Sequence, residues 1–277
     1  MTNSTAAPAP LGALNGAHHA LEALKALLEA HDIRGKTHSP HWSHTLAVFD
    51  LETTGIDFDI SRIVTAHVGV IGPTGQVLAA CDWIIDPGIE IPTSATLIHG
   101  ISTERAQREG DEPAQAVAQI LTALQYLHQR GVAIVAYNAA YDFTILQHEA
   151  IRYGLTPFPE SGPIIDPFVI DKAVDRYRPG KRTLSATAEH YGVNLRYAHD
   201  AAADAVTAGR IAQALVHQFP LLADTPASHL HELQSKWSRQ QAAGYQRWRR
   251  ENGEPNFVSS GEWPVRHQLP IASADAV

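Results

Sequence analysis

The 277-residue chain predicts an α/β fold, a mixed central sheet flanked by helices. Three observations carry that expectation. Between about 46 and 85, three apolar, β-branched runs are joined by short connections, the pattern of an antiparallel meander. From about 113 to 218 the period changes, and short apolar runs alternate with segments of helical spacing, which adds parallel strands with helices laid across the sheet. Apolar residues make up 44% of the chain, enough at this length for a sizeable core.

Taken in order, residues 1–15 are rich in Ala, Pro, Ser, Thr and Asn and read as a tail. Leu21, Leu24, Leu27 and Leu28 then predict a short amphipathic helix near 17–31, followed by a linker that completes a tail region over 1–45. The run Leu46-Ala47-Val48-Phe49, stopped by Asp50, predicts the first strand. Ile63–Ile71 predicts the second, closed by the turn signal Gly72-Pro73-Thr74-Gly75, and Gln76 to about Ile85 the third. Val117, Ile120, Leu121, Leu124 and Leu127 share a helix face with Pro113 in the first turn. A buried strand over 132–137, a helix over 141–153, the brief strand Ile164-Ile165, and helices near 167–177, 183–191 and 200–217 complete a domain spanning 46–218. Beyond it, 219–277 reads as an appendage; residues 236–250, KWSRQQAAGYQRWRR, hold five cations, no acid, two tryptophans and a tyrosine.

Composition narrows the class. A lone cysteine, Cys81, excludes a disulfide scaffold and any zinc site needing several thiolates. No apolar run approaches the roughly 18–20 residues of a membrane span, and the N-terminus lacks a secretory pattern, so a cytoplasmic setting without membrane contact is expected. The net charge of −8 is unlike that of a nucleic-acid-coating protein. It is compatible with metal ions held in a carboxylate cluster that bind a polyanion from within an acidic centre.

The chemistry-bearing residues fall in three segments. In AVFDLETTG, Asp50 and Glu52 are two apart on a strand and share a face; divalent cations such as Mg²⁺ or Mn²⁺ would relieve their repulsion. A solvated strand end before a turn accounts for the same residues. In VAYNAAYDFTIL, Asp142 follows a buried strand, where α/β sheets hold ligands at their carboxyl edge, and Asn138 sits in the turn. Helix capping is the plainer account of both. In YAHDAAADAV, Asp204 lies among alanines that permit close approach, with His199 just before the helix beside the possible cap Asp200.

Together, DLETTG, NAAYDF and H-x₄-D resemble motifs I, II and III of the DEDDh exonuclease family, which includes the epsilon proofreading subunit of DNA polymerase III. The resemblance spans about 46–217. It implies an RNase H-like fold, Asp50, Glu52, Asp142 and Asp204 as ligands of two Mg²⁺ or Mn²⁺ ions, and His199 as general base. It further implies 3′–5′ hydrolysis to nucleoside 5′-monophosphates, with the terminal nucleotide near Thr53 and Thr54 and with His99, in LIHGIS, and Asn138 toward the substrate. Leu184, in KRTLSATAEHYGV, is implied to pack beneath the site. The residue types suit that chemistry: two-metal hydrolysis needs a carboxylate cluster, and a histidine titrating near 6.5 can take a proton from the attacking water.

The expected substrate is single-stranded DNA, with RNA trimming as the alternative. A polymerase or sliding-clamp partner is a further possibility, for which QFPLL at 218–222 is a faint signal that the end of the last helix also explains. Two basic segments stay open between phosphate contact and structural roles: 236–250, and the cluster Lys172, Arg176, Arg178, Lys181 and Arg182.

Overall fold

The computed structural model describes residues 22, 25, 26, 29, 41–195 and 199–267. Of the helix expected near 17–31, the four described residues are helical. The rest of it, and all of 31–40, lie outside the described residues.

Among the described residues, five strands form one sheet, β1 (Leu46–Thr53), β2 (Ile63–Ile71), β3 (Val77–Ile84), β4 (Ala133–Val135) and β5 (Ile164–Ile165), in the order β3-β2-β1-β4-β5. The first three are an antiparallel meander, and β4 and β5 add in parallel, which makes the sheet mixed as expected. Two short helices, α1 (Thr93–His99) and α2 (Thr103–Glu109), precede α3 (Pro113–Gln129). Neither is predicted by periodicity, because seven residues carry barely two turns. After β4 comes α4 (Ala139–Arg152), which begins two residues before the predicted start, and after β5 come α5 (Pro167–Val174) and α6 (Leu184–His190). Then come α7 (Ala201–Gln218), the single turn α8 (Pro220–Ala223) and α9 (Ala227–Glu251), followed by a segment without helix or strand over 252–267. Among the described residues, no helix is long and apolar enough to cross a membrane.

Alternation along β1 divides the core. Ala47, Phe49 and Leu51 pack with Val117, Ile120 and Leu124 of α3 and Phe143 of α4, whereas Leu46 and Val48 face Ala205, Ala208, Ile211 and Leu215 of α7. α7 lies very close to the sheet: a Cβ on Gly209 would come within 2.5 Å of Val48 Cγ1 and 2.6 Å of Ile71 Cδ1. Leu184 is partly buried in this second core.

The segment read as an appendage packs on the sheet's edge. Only Leu230 and Gln234 of α9 are buried. The Gln234 amide accepts from Asp166 N (2.6 Å) and donates to Ile164 O (2.9 Å), while His231 Nδ1 accepts from Ile164 N (3.2 Å). The helix thus satisfies the outer backbone groups of a two-residue edge strand, which would otherwise be open to another chain. At the other terminus Trp42 donates to Thr225 O, and His41 lies 2.7 Å from Ala223 O. The QFPLL segment is built into the fold, with Leu222 buried and Phe219 packed on the second core.

Candidate active site

The acidic residues gather where the apolar stripe of β1 gives way. Asp50 and Glu52 continue the face of Leu46 and Val48 beyond the start of α7, and the β1–β2 register shifts immediately afterwards, between Glu52 and Thr53. An irregularity at this point re-aims the strand end, a common device beside active sites. α4 brings in Asp142 from its first turn; the buried carboxylate accepts from Leu51 N at 3.1 Å, which pins it to the strand between the other two acids. α7 brings in Asp204, whose Oδ2 accepts from His199 N at 3.1 Å. Asp200 caps α7 by accepting from Ala203 N, and His199, just before it, adopts φ 69°. That left-handed turn folds the chain back, so that Glu52, His199 and Asp204 each offer a ligand atom within 4.8 Å of the others.

The electrostatics are those of a site built for a cation. Burial, and then the charges of Asp142, Glu52 and Asp204, hold the Asp50 carboxyl well above the usual range. Burial, reinforced by Asp204 and Asp200, pushes Glu52 up to about 8. Asp142 is likewise raised, mainly by burial, against the pull of its backbone hydrogen bonds. Asp204 is raised by burial, which the His199 N–H partly offsets, and its Oδ1 is buried without a hydrogen-bond partner. An orphaned buried carboxylate oxygen among acids that resist ionising fits a divalent metal, whose positive charge reverses each of these penalties.

Around this cluster the remaining predicted residues take varied positions. The Thr53 hydroxyl lies 2.5 Å from Tyr141 Oη and donates to Gly55 O, and the Thr54 hydroxyl accepts from Arg62 N, so both are engaged in the turn. His99 lies against the Thr53 backbone; burial lowers its pKa, and its Nε2 is buried without a partner. Asn138 takes the left-handed conformation (φ 62°) ahead of α4, and its side chain does not cap the helix.

Two residues that sequence reasoning missed hold these elements together. Tyr141 ties Thr53 and Gly55 to α4. Asp166, fully buried at the end of β5, accepts from the N–H groups of Asn138, Ala139 and Phe168 and from Trp263 Nε1. Burial raises its pKa to about 6, against those four donors. The Asp-Pro step at the start of a helix was the available signal, since a capping acid before an N1 proline is a common helix start.

The RNase T exonuclease family matches residues 47–212, more than half of the chain and every residue of the cluster. The chain belongs to this exonuclease family. The DEDDh reading, a 3′–5′ exonuclease domain of RNase H-like fold, is borne out. Among relatives, the exonuclease is 31% identical over 168 residues to a PolC-type DNA polymerase III of Streptococcus suis, covering 60% of this chain and 11% of that protein. It is 26% identical over 184 residues to a DNA polymerase III subunit epsilon-like protein of Rhodobacter capsulatus, covering 64% and 24%. The structure of exonuclease I superposes with a TM-score of 0.57 at 21% identity, over 65% of this chain and 42% of that one. Escherichia coli exonuclease I in complex with a dA16 oligonucleotide gives 0.56 at 20%, with the same coverage. The chain therefore spans a quarter or less of these curated relatives and under half of the solved chains.

Proposed function

We propose that the exonuclease removes nucleotides one at a time from the 3′ end of single-stranded DNA, releasing nucleoside 5′-monophosphates. The observation that carries this is the convergence of Asp50, Glu52, Asp142 and Asp204 from three separate elements beside His199. Those four carboxylates would hold the divalent cations, Mg²⁺ or Mn²⁺. When bound, such ions supply stabilisation of charge on the phosphate and on the departing oxygen. His199, exposed and close to Glu52 and Asp204, takes the proton of the water that attacks the terminal phosphorus. The bond from phosphorus to the 3′ oxygen of the preceding nucleotide breaks, and that oxygen leaves as a hydroxyl after taking a proton from solvent. Because the Thr53 and Thr54 hydroxyls are engaged, the terminal sugar is met by the main chain there and by His99.

DNA is favoured over RNA because the relatives are DNA polymerase chains and the exonuclease I complexes hold deoxyoligonucleotides. Those same relatives favour a second reading, action inside a polymerase assembly. QFPLL does not support a clamp contact, since Phe219 and Leu222 are packed in the core.

The test is a 5′-labelled single strand of DNA, and its RNA counterpart, incubated with the chain in Mg²⁺, Mn²⁺ or EDTA. The expected result is a metal-dependent ladder shortening from the 3′ end, faster on DNA and abolished in a folded Asp50→Ala variant. Unchanged turnover in that variant would overturn the assignment. A folded wild-type chain that degrades neither strand would move the reading to the assembly.

A further inference from the structure

The basic cluster around 172–182 does two different things. Arg178 and Arg182 both bind the buried Asp171 carboxylate, at 2.9 and 2.5 Å, and Tyr191 donates to it as well. Those two cations serve the fold. Lys172 and Arg176, by contrast, make no ion pair among the described residues; Lys172 lies over the Phe168 ring and Arg176 over Tyr177. Arg266, on the C-terminal segment, also makes none: it sits over Phe58, with its Nε buried and unpartnered.

These three cations, outside any close ion pair among the described residues, border one groove between α5 and α9, and Lys172 and Arg266 both feel the charge of Asp166 beneath it. A cavity of about 510 Å³ is lined by Lys172, Arg176, Trp237 and Tyr245, with no acid in its wall. A second, of about 350 Å³, shares Lys172, Gln241 and Tyr245 with the first and reaches Arg266, Asn138 and Ala140. Its one acid is Asp166, whose carboxylate is already taken by four N–H donors. Asn138 and Ala140 stand at the start of α4, the helix that carries Asp142, so the groove ends against that helix at the carboxyl end of β4. Tyr245 and Trp248 stack at 6.1 Å on the rim and remain about half exposed. In a chain of net charge −8, an acid-poor groove bordered by cations outside close ion pairs and by half-exposed rings matches a polyanion whose base faces are free. A duplex hides those faces.

We propose that the α5–α9 groove is a track for the body of a single nucleic-acid strand, upstream of the nucleotide in the acidic site. This rests on the function proposed above, and the test separates the two. Arg176 is exposed, and a Cβ on Gly244, which also lines the groove, meets nothing within 4 Å, so Arg176→Glu and Gly244→Leu leave the fold intact. Binding of the full chain to labelled oligodeoxythymidylate of about 20 nucleotides, longer than one single-strand site, is followed in EDTA across a salt series. Arg108→Glu, on α2 away from the groove, is the charge control.

Both groove variants are expected to bind about tenfold more weakly, and Arg176→Glu to lower the salt slope by about 0.7. Hydrolysis of the p-nitrophenyl ester of thymidine 5′-monophosphate, which is too short to reach the groove, is expected to be unchanged. Wild-type binding in both variants, or an equal loss in Arg108→Glu, would overturn the track. Failure of the wild-type chain to hydrolyse the ester in Mg²⁺ or Mn²⁺ would instead overturn the catalytic reading and leave the binding result to stand by itself.

Discussion

Two long helices flank the sheet, and they are attached in opposite ways. α7 buries ten residues, most of them small, and comes so near β1 and β2 that only a glycine fits at 209. α9, longer by seven residues, buries two, and one of those is a glutamine. The first is held by apolar area and close approach; the second by hydrogen bonds to an edge strand together with two apolar anchors, Leu230 and Trp237. Apolar docking is tolerant along the helix but fixes its distance from the sheet, which α7 needs because it carries Asp204 to β1. Hydrogen-bonded docking fixes register at a few points and leaves most of the helix surface free, which suits a wall of a groove.

The comparison can be broken most sharply on the α7 side. His199→Ala, which removes the proposed proton acceptor without touching either docking surface, is expected to lower kcat by about 10²–10⁴-fold with the melting transition unchanged. A loss of under threefold would assign that proton to another group. Gly209→Val should push α7 off Val48 and Ile71 and cost about 1–3 kcal/mol in urea unfolding, with turnover falling because Asp204 moves with the helix. Retained turnover in that variant would show that the metal-ligand geometry does not depend on the close approach.

Gln234→Leu keeps volume but leaves Asp166 N and Ile164 O without their partner, at a cost of about 1–3 kcal/mol. Unlike the Gly209 variant, it should preserve hydrolysis of the small nucleotide ester. Unchanged stability would mean that α9 docks by apolar contact after all.

A separate effect is expected in the pH dependence of the metal-free protein. Glu52 is raised from 4.5 to about 8, so the folded state binds the proton more tightly than the unfolded chain. Its contribution is therefore complete below about 4.5 and is lost as pH rises through 8. The Tm of the EDTA-treated chain is expected to drift down over that window, by about 2–4 °C per kcal/mol lost. Mg²⁺ or Mn²⁺ should restore it increasingly toward pH 8, as binding displaces the protons. A flat profile in EDTA would contradict the burial of Glu52 among acids.

What was legible in the sequence follows the same division. β1, its switch from Val48 to Asp50 and Glu52, and the spacing of His199 to Asp204 on an alanine-rich helix were readable, because apolar alternation and helical period are local signals. So were the meander and the parallel strands after it. The α9 docking was not, since nothing local marks Gln234 as a buried residue or pairs Trp263 with Asp166. Nor could the sequence separate Arg178 and Arg182, which Asp171 consumes, from Lys172 and Arg176, which make no ion pair among the described residues. His99 was named from its motif, but its contact with the Thr53 backbone is a long-range meeting of two turns.

Asp166 gives this arrangement a consequence for how the molecule can be divided. Its carboxylate receives the first N–H groups of the helix that carries Asp142 and, on the same oxygen pair, the indole of Trp263. Cutting the chain after α8 would thus strip a donor from the acid that aligns the catalytic helix, and expose the edge of β5 in the same stroke. The C-terminal segment is then no detachable accessory: the proposed track and the acidic site share one buried carboxylate, and a graft of either onto another protein would have to carry that acid along.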